Sequence, residues 1–372
     1  MPLLVDFDTV ALLAGLRRLL ECESPSSDAE AVARSADEVT SLGIELLGDE
    51  PERIVIDGTT HLRWRFGART EVLVLTHHDT VWPLGSLAVH PVEVNAGVLT
   101  GPGCFDMKAG VVMAMHAIAA LPARDGVCLL VTGDEEVGSP SSRELIEAEA
   151  SGARAALVTE ASAPGGALKT ERKGVSWYEL RVNGRAAHAG LDPERGVNAT
   201  VELAHQVLAA SALGDAAAGT TVTPTLADSG TAGNTVPAAA SVYIDVRART
   251  TAEQLRVDAA IRALKPVLPG AELVVLGGPN RRPLEREASH GLFERATVLG
   301  AQLGLEPFEG VAVGGGSDGN LTAGMGVPTL DGLGAVGGGA HAADEHVIVA
   351  QLAPRTALLS ALIADLLAEE VA

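Results

Sequence analysis

Cysteine, aromatic residues and positive charge are all scarce in this 372-residue chain. The three cysteines, Cys22, Cys104 and Cys128, are odd in number and show no paired spacing, which argues against a disulfide scaffold and for a reducing, cytoplasmic setting. Lys and Arg number 27 against 48 Asp and Glu, a net charge of −21, and no basic cluster breaks the acidic background. Nucleic acid and anionic membrane surfaces are therefore not expected as partners. No apolar run approaches the ~20 residues that span a bilayer. The opening MPLLVDFDTVALLAGLRRLL lacks early basic residues and is interrupted by Asp6 and Asp8, so it reads as an amphipathic helix and not as a signal segment. Aromatic residues make up only 3% of the chain, which gives little support for a site that stacks flat ring systems.

Apolar residues are plentiful at 47%, and the length exceeds what one ordinary core takes up, so two domains are expected. Between about Val72 and Glu160, apolar runs (Val72–Leu75, Val127–Val131, Ala155–Val158) alternate with helical stretches at Met107–Leu121 and Ser141–Ala150. Continuous apolar strands, each followed by a helix, indicate a sheet buried on both faces and hence an α/β fold. The stretch Gly174–Pro283 differs. It reads as strand VSWYELRVNG, helix Val197–Ser211, strands TVTPTLADSG and AASVYIDVRAR, helix Ala252–Leu268 and strand AELVVLGG. That β-α-β-β-α-β order is the ferredoxin-like arrangement. In Ser241–Arg249 the apolar Val242, Ile244, Val246 and Ala248 alternate with Ser241, Tyr243, Asp245, Arg247 and Arg249, as in a sheet with one polar face. Helices at His290–Leu303 and Ala350–Leu367 then return to the α/β pattern. The chain is therefore expected to be one α/β domain, residues 1–173 and 284–372, with an inserted domain at 174–283.

Five short segments place acidic residues or histidine where apolar runs stop: VLVLTHHD (His77, Asp79), GPGCFDMKAG (Asp106), LLVTGDEEVGS (Glu135, Glu136), ALVTEAS (Glu160) and GGAHAADEH (His341). Such groups are costly at the edge of a core unless something offsets their burial. A pair of divalent cations would do so, and ligands of this kind suit that role. In α/β sheets, ligands collect beyond the carboxyl ends of the strands, where these segments fall. His77 and Asp79 project to one face, so His77 can bind metal through one ring nitrogen while Asp79 fixes the ring from the other side. His78 points the other way and reads as structural or outward-facing. Asp106, after the GPG turn, reads either as a carboxylate shared by two cations or as an ordinary helix cap. Glu135 and Glu136, adjacent and divergent in extended backbone, can divide the work of ligand and proton carrier. Asp134 beside them reads as a solvated surface acid. Cys104 reads as a small packing residue, and Glu345 as either support for a ligand or a helix-start acid.

The order HxD, GPGxxDMKxG, DEExGS, Glu, His resembles the co-catalytic zinc exopeptidases that include glutamate carboxypeptidase, acetylornithine deacetylase, succinyl-diaminopimelate desuccinylase and aminoacylase. The likeness covers nearly the whole chain, insertion included. It implies a zinc-exopeptidase catalytic domain, a mainly parallel sheet between helices, with the ferredoxin-like insertion as lid and dimerisation domain. It also implies two zinc ions, with His77, Asp106 and Glu160 at one and Asp106, Glu136 and His341 at the other. Asp106 would bridge, Glu135 would be the general base, and the peptide bond after Asp106 would be cis. Cobalt or manganese fit the same ligands.

In the insertion, NGRAAHAGLDPERGVNA carries His188 among small neighbours that leave it exposed. It reads from sequence either as a loop histidine that satisfies backbone or as a site residue. The resemblance implies the latter, with His188 crossing a homodimer interface to stabilise an oxyanion. It likewise implies that Asn234 and Arg247 hold a substrate α-carboxylate, for which a guanidinium is suited; Arg249 is the competitor. GGGSD at residues 314–318 lacks the Lys-Ser/Thr of a phosphate loop and reads as a loop lining the substrate pocket, with Ser317 as a contact. The expectation is a zinc-dependent carboxypeptidase acting on a small peptide or N-acyl amino acid, closest to glutamate carboxypeptidase. The rivals are an N-acyl-amino-acid deacylase of the acetylornithine deacetylase type and, remotely, a non-catalytic binding protein on the same fold.

Overall fold

The computed structural model describes residues 6–368, so the first five residues of the expected opening helix lie outside it; the helix itself runs Thr9–Leu20. The described residues form two compact units, one drawn from residues 6–171, 286–313 and 317–368, the other from Arg172–Glu285 with Gly314–Gly316.

The first unit is α/β. Its six-stranded sheet has the order Glu52–Ile56, Thr59–Phe66, Val127–Thr132, Val72–His77, Ala155–Val158, Thr329–Leu330. The first two pairings are antiparallel and the other three parallel. Val72–His77, Val127–Thr132 and Ala155–Val158 are buried at every position because helices cover both faces. Val72, Val74, Val127, Leu129, Val131 and Leu157 pack on one side with Leu16, Val39, Met113 and Leu359. Leu73, Leu75, Cys128, Leu130 and Val158 pack on the other with Ile146 and Leu321. Register pairs His77 with Thr132 and Leu75 with Val158, so the three strands end side by side. The segments leaving them start from one edge.

Two expectations change here. The helix after the GPG turn begins only at Ala109; Cys104–Lys108 forms a wider turn in which Asp106 and Met107 leave helical geometry and their peptide bond is cis. And one apolar run does reach membrane-spanning length: Val349–Ala368 is long and apolar enough to cross a bilayer. It is apolar on most sides because Leu352, Leu358, Leu359, Leu362 and Ile363 are buried in the first unit's core. Arg355 on this helix is itself buried. Its guanidinium donates to the carbonyls of Gly166, Gly332 and Gly334, and burial lowers its pKa to about 10.

The second unit runs strand Gly174–Asn183, helix Ala199–Ser211, strands Thr221–Ser229 and Ala239–Ala248, helix Thr251–Arg262 and strand Glu272–Arg281. The antiparallel sheet order is Thr221–Ser229, Ala239–Ala248, Gly174–Asn183, Glu272–Arg281, the ferredoxin-like topology. Val242, Ile244 and Val246 face a separate core with Leu203, Val257 and Ile261. The second helix stops at Arg262, short of the expected Leu268, ahead of Pro266.

Behind the sheet edge lie two buried histidines. His78 meets Ser35 Oγ and the Thr60 carbonyl at 3.1 Å each, and His61 meets Ser141 Oγ at 3.0 Å. Burial lowers both pKa values, that of His78 from 6.5 to about 4. As pH falls from 6.5 to about 4 the unfolded chain takes up a proton that the folded His78 refuses. Stability present above 6.5 is thus lost across that window, by about 3 kcal/mol for His78 alone. In urea titrations across this range, His78→Gln is expected to lose less stability than the wild type. Parallel losses would show that His78 takes up its proton as readily folded as unfolded.

Candidate metal centre

Asp79 organises the edge. Its carboxylate is fully buried and accepts from Ser26 Oγ at 2.6 Å and from the amides of Glu135 and Glu136 at 3.3 and 3.2 Å. His77 Nδ1 lies 3.0 Å from the Asp79 carbonyl and 3.3 Å from its Oδ1. Burial opposes ionisation of Asp79, but the bonds from His77 and Ser26 hold its pKa below the usual range. One buried acid therefore orients a histidine ring and fixes the turn that carries two glutamates. That turn, Glu135–Val137, is a single tight helical turn and not the extended backbone expected.

With Nδ1 engaged, His77 presents Nε2 to Asp106 Oδ1 at 3.5 Å and to Glu160 Oε1 at 3.6 Å. On the far side, His341 Nε2 stands 3.3 Å from Asp106 Oδ2 and 3.1 Å from Glu136 Oε2. Two ligands of one tetrahedral zinc, each about 2.0–2.1 Å from it, lie about 3.3 Å apart. Both clusters have that spacing, and each uses a different oxygen of Asp106. Glu135, Glu160 and His77 also offer atoms within 4.8 Å of one another. His77 Nε2 and Glu136 Oε1 are buried without a hydrogen-bond partner, as atoms reserved for a cation would be. The donor set of two imidazoles and several carboxylates fits a pair of divalent ions.

The charges show what such ions would relieve. Burial works against protonated His77, yet Asp106, Asp79 and Glu160 raise its pKa well above the ordinary value. Asp106 and Glu136 push His341 up to about 10. Burial raises Glu136, while Asp106, despite its burial, is held far below the carboxylate range by His341 and His77.

Local sequence explains the placement. Gly103 has φ +73, and a Cβ there would come within 2.4 Å of Thr80, so only glycine lets the chain turn into Asp106. Gly334 approaches so closely that a Cβ would lie 2.2 Å from the Thr159 carbonyl; its amide donates to the Glu160 carbonyl at 2.9 Å. His341 sits in the left-handed region at φ 62. Lys169, unremarked in the sequence, reaches 4.0 Å from Glu160 Oε2. Its only signal was a cation on a short segment just after Glu160.

Two sequence readings need correction. Asp134 is not solvated: it is buried and accepts from the amides and hydroxyls of Ser141 and Ser142, directing the chain away from the glutamate turn. Ser317 is not a pocket contact: it is fully buried and its hydroxyl donates to Asp331 at 2.6 Å. Of the two readings of His78, structural and outward-facing, the structural one holds. Cys104 is buried with its thiol pKa pushed up, as suits a packing residue.

In the second unit, His188 is exposed and pairs with Thr235, and the Ala189 amide donates to the Asn234 carbonyl at 2.9 Å. His188 Nδ1 accepts from the amides of Gly190 and Leu191, both at 3.1 Å. The proton must then sit on Nε2, which leaves a donor. That is the backbone-satisfying role that one of the two sequence readings gave His188. Arg247 grips Asp245 with Nε and Nη2, each at 2.8 Å. It lies eight residue steps along the strand from Ala239, about 26 Å. Asn234 precedes that start, in the segment that follows strand Thr221–Ser229.

The family described as Peptidase family M20/M25/M40 matches residues 73–365. Carboxypeptidase G2 of Pseudomonas sp. (strain RS-16) is 30% identical over 96% of this chain and 89% of its own. Succinyl-diaminopimelate desuccinylase of Acinetobacter baylyi is 27% identical over 97% of this chain and 99% of its own. Among solved structures, aminopeptidase PepT from Bacillus cereus superposes with a TM-score of 0.74 at 21% identity, covering 97% of this chain and 99% of that one.

The division of the two Asp106 oxygens between the clusters leads to a measurable test. Chelator-competition titration of zinc is expected to find two equivalents on the wild type and one on His341→Ala. Asp106→Asn should weaken both by about tenfold or more. Two equivalents held with wild-type affinity by Asp106→Asn would mean that this carboxylate is not shared.

Proposed function

The chain belongs to Peptidase family M20/M25/M40, and from that premise we propose that it is a two-zinc hydrolase that cleaves an amide bond and releases a C-terminal amino acid. The observation that carries this reading is the split of Asp106, whose two oxygens face His77 and His341 separately at 3.5 and 3.3 Å. His77, Asp106 and Glu160 would hold one ion and Asp106, Glu136 and His341 the other. Such ions, zinc or else cobalt or manganese, ease loss of a proton from water and polarise an amide carbonyl.

The chain's own groups supply the rest. Glu135, buried and fixed through its amide by Asp79, takes the proton from the attacking water on its carboxylate. It then delivers that proton to the leaving amine. His188, with its proton on Nε2, donates to the developing oxyanion. Asn234 and Arg247 bind the substrate's free α-carboxylate. A homodimer would let the groups meeting one substrate come from two copies, with Asn234 ahead of strand Ala239–Ala248 and Arg247 near its far end. The free cysteines support a cytoplasmic location.

The relative named carboxypeptidase G2 favours a peptidyl substrate. The desuccinylase likeness, which spans nearly the whole chain, keeps N-acyl-amino-acid deacylation as the second reading. Turnover of a peptidyl-glutamate against an N-acetyl amino acid separates the two, and reaction of the acetylated compound alone would remove the carboxypeptidase assignment. Glu135→Ala is expected to lower kcat by about 10²–10⁴-fold while two zinc equivalents remain bound. Unchanged turnover would remove Glu135 from the mechanism.

A further inference from the structure

Glu345 lies four residues after His341 and is 3% exposed. Its carboxylate accepts four hydrogen bonds from two distant segments. Oε2 receives Trp82 Nε1–H at 2.6 Å and the Gly103 amide at 3.0 Å. Oε1 receives the amides of Phe105 and Asp106 at 2.9 and 3.0 Å. Three of the four donors therefore belong to the turn that aims Asp106. The backbone of Glu345 belongs to the loop that aims His341, wound tightly by bonds from the Ala342 amide to Gly339 and from the Glu345 amide to Ala342. That loop joins strands Gly337–Gly338 and His346–Ile348, and the latter pairs with Val98–Thr100, which runs into the Asp106 turn.

The two halves of the centre differ in support. His77 ends one strand inside the large sheet and Glu160 follows another, and the His77 ring is held by Asp79. His341 is half exposed and sits in a loop at a left-handed backbone angle. What ties that loop to the carboxylate it must share is Glu345. We propose that Glu345 is a positioning residue that locks the Asp106 turn to the His341 loop, so that the His341-side metal site depends on it far more than the His77-side site does. The inference rests on the two-metal reading above and adds a residue that touches neither ion nor substrate.

Zinc titration of metal-free wild type, Glu345→Gln and Glu345→Asp against a chromophoric chelator tests it. Gln keeps the shape, but its amide nitrogen cannot accept, so one pair of donors loses its acceptor. Asp keeps the charge and withdraws it by one methylene. In Glu345→Gln the equivalent that His341→Ala removes should weaken by about 10–100-fold, with the other within about threefold of wild type. Glu345→Asp should show the same ranking, and it carries the comparison if the Gln variant does not fold. A general loss of structure would not remove one metal selectively. Equal loss from both sites, or two equivalents at wild-type affinity, overturns the proposal. If the wild type itself takes up no metal, the two-metal reading fails first; two equivalents held by the variant at wild-type affinity overturn only the role of Glu345.

Discussion

The constraint on which this structure depends is the burial of like charge at one edge of a sheet. Asp106, Glu135, Glu136 and Glu160 converge there with two imidazoles, in a space where uncompensated carboxylates are costly. The fold meets this in two tiers. Beneath the edge, Asp79, Asp134 and Glu345 are saturated by backbone amides, hydroxyls and an indole, donors that cost no further charge. Above them, His77 Nε2 and Glu136 Oε1 stay unpartnered, so the outer tier is complete only with cations. The inner tier fixes where the outer groups point, and the outer tier keeps its lone pairs for metal.

Rigidity in the inner tier follows from the strands. Val72–His77, Val127–Thr132 and Ala155–Val158 are buried at every position and in parallel register, so their ends cannot slip without repacking the close-packed side chains on both faces. Ligands close to those ends inherit that precision. His341 does not; its backbone at φ 62 costs about 1–2 kcal/mol for a residue with a Cβ. A strained loop persists only when its surroundings over-determine it. Glu345, linked to the neighbouring turn at three amides, is one such surrounding.

The layout of strands was legible because burial on both faces writes a continuous apolar run, and an acid or histidine just after such a run stands out. The inserted β-α-β-β-α-β unit was legible for the complementary reason, the alternation of Val242, Ile244 and Val246 with polar neighbours. What escaped were partnerships made by the chain folding back. Asp134 looks like a surface acid until Ser141 and Ser142 turn four donors toward it. Ser317 sits in a glycine-rich loop and looks exposed, but Asp331 draws it inward. Glu345 meets amides some 240 residues earlier, and backbone amides carry no residue-type signal at all. Val349–Ala368 was underrated because its buried Arg355 interrupts the apolar text, although three backbone carbonyls satisfy that guanidinium.

The division of labour between Glu135 and Glu136 shows where sequence stops and geometry begins. Adjacent and identical, they cannot be told apart by composition. In the structure both amides are held by the same Asp79 carboxylate, so their side chains leave one short turn in different directions. Glu136 brings Oε2 to 3.1 Å from His341 Nε2, the separation of two ligands on one ion. Glu135 instead offers its carboxylate toward His77 and Glu160, which have Asp106 as their third partner. In the proposed reaction that leaves Glu135 beside the centre and not committed to it, which is what a group that must take and return a proton requires.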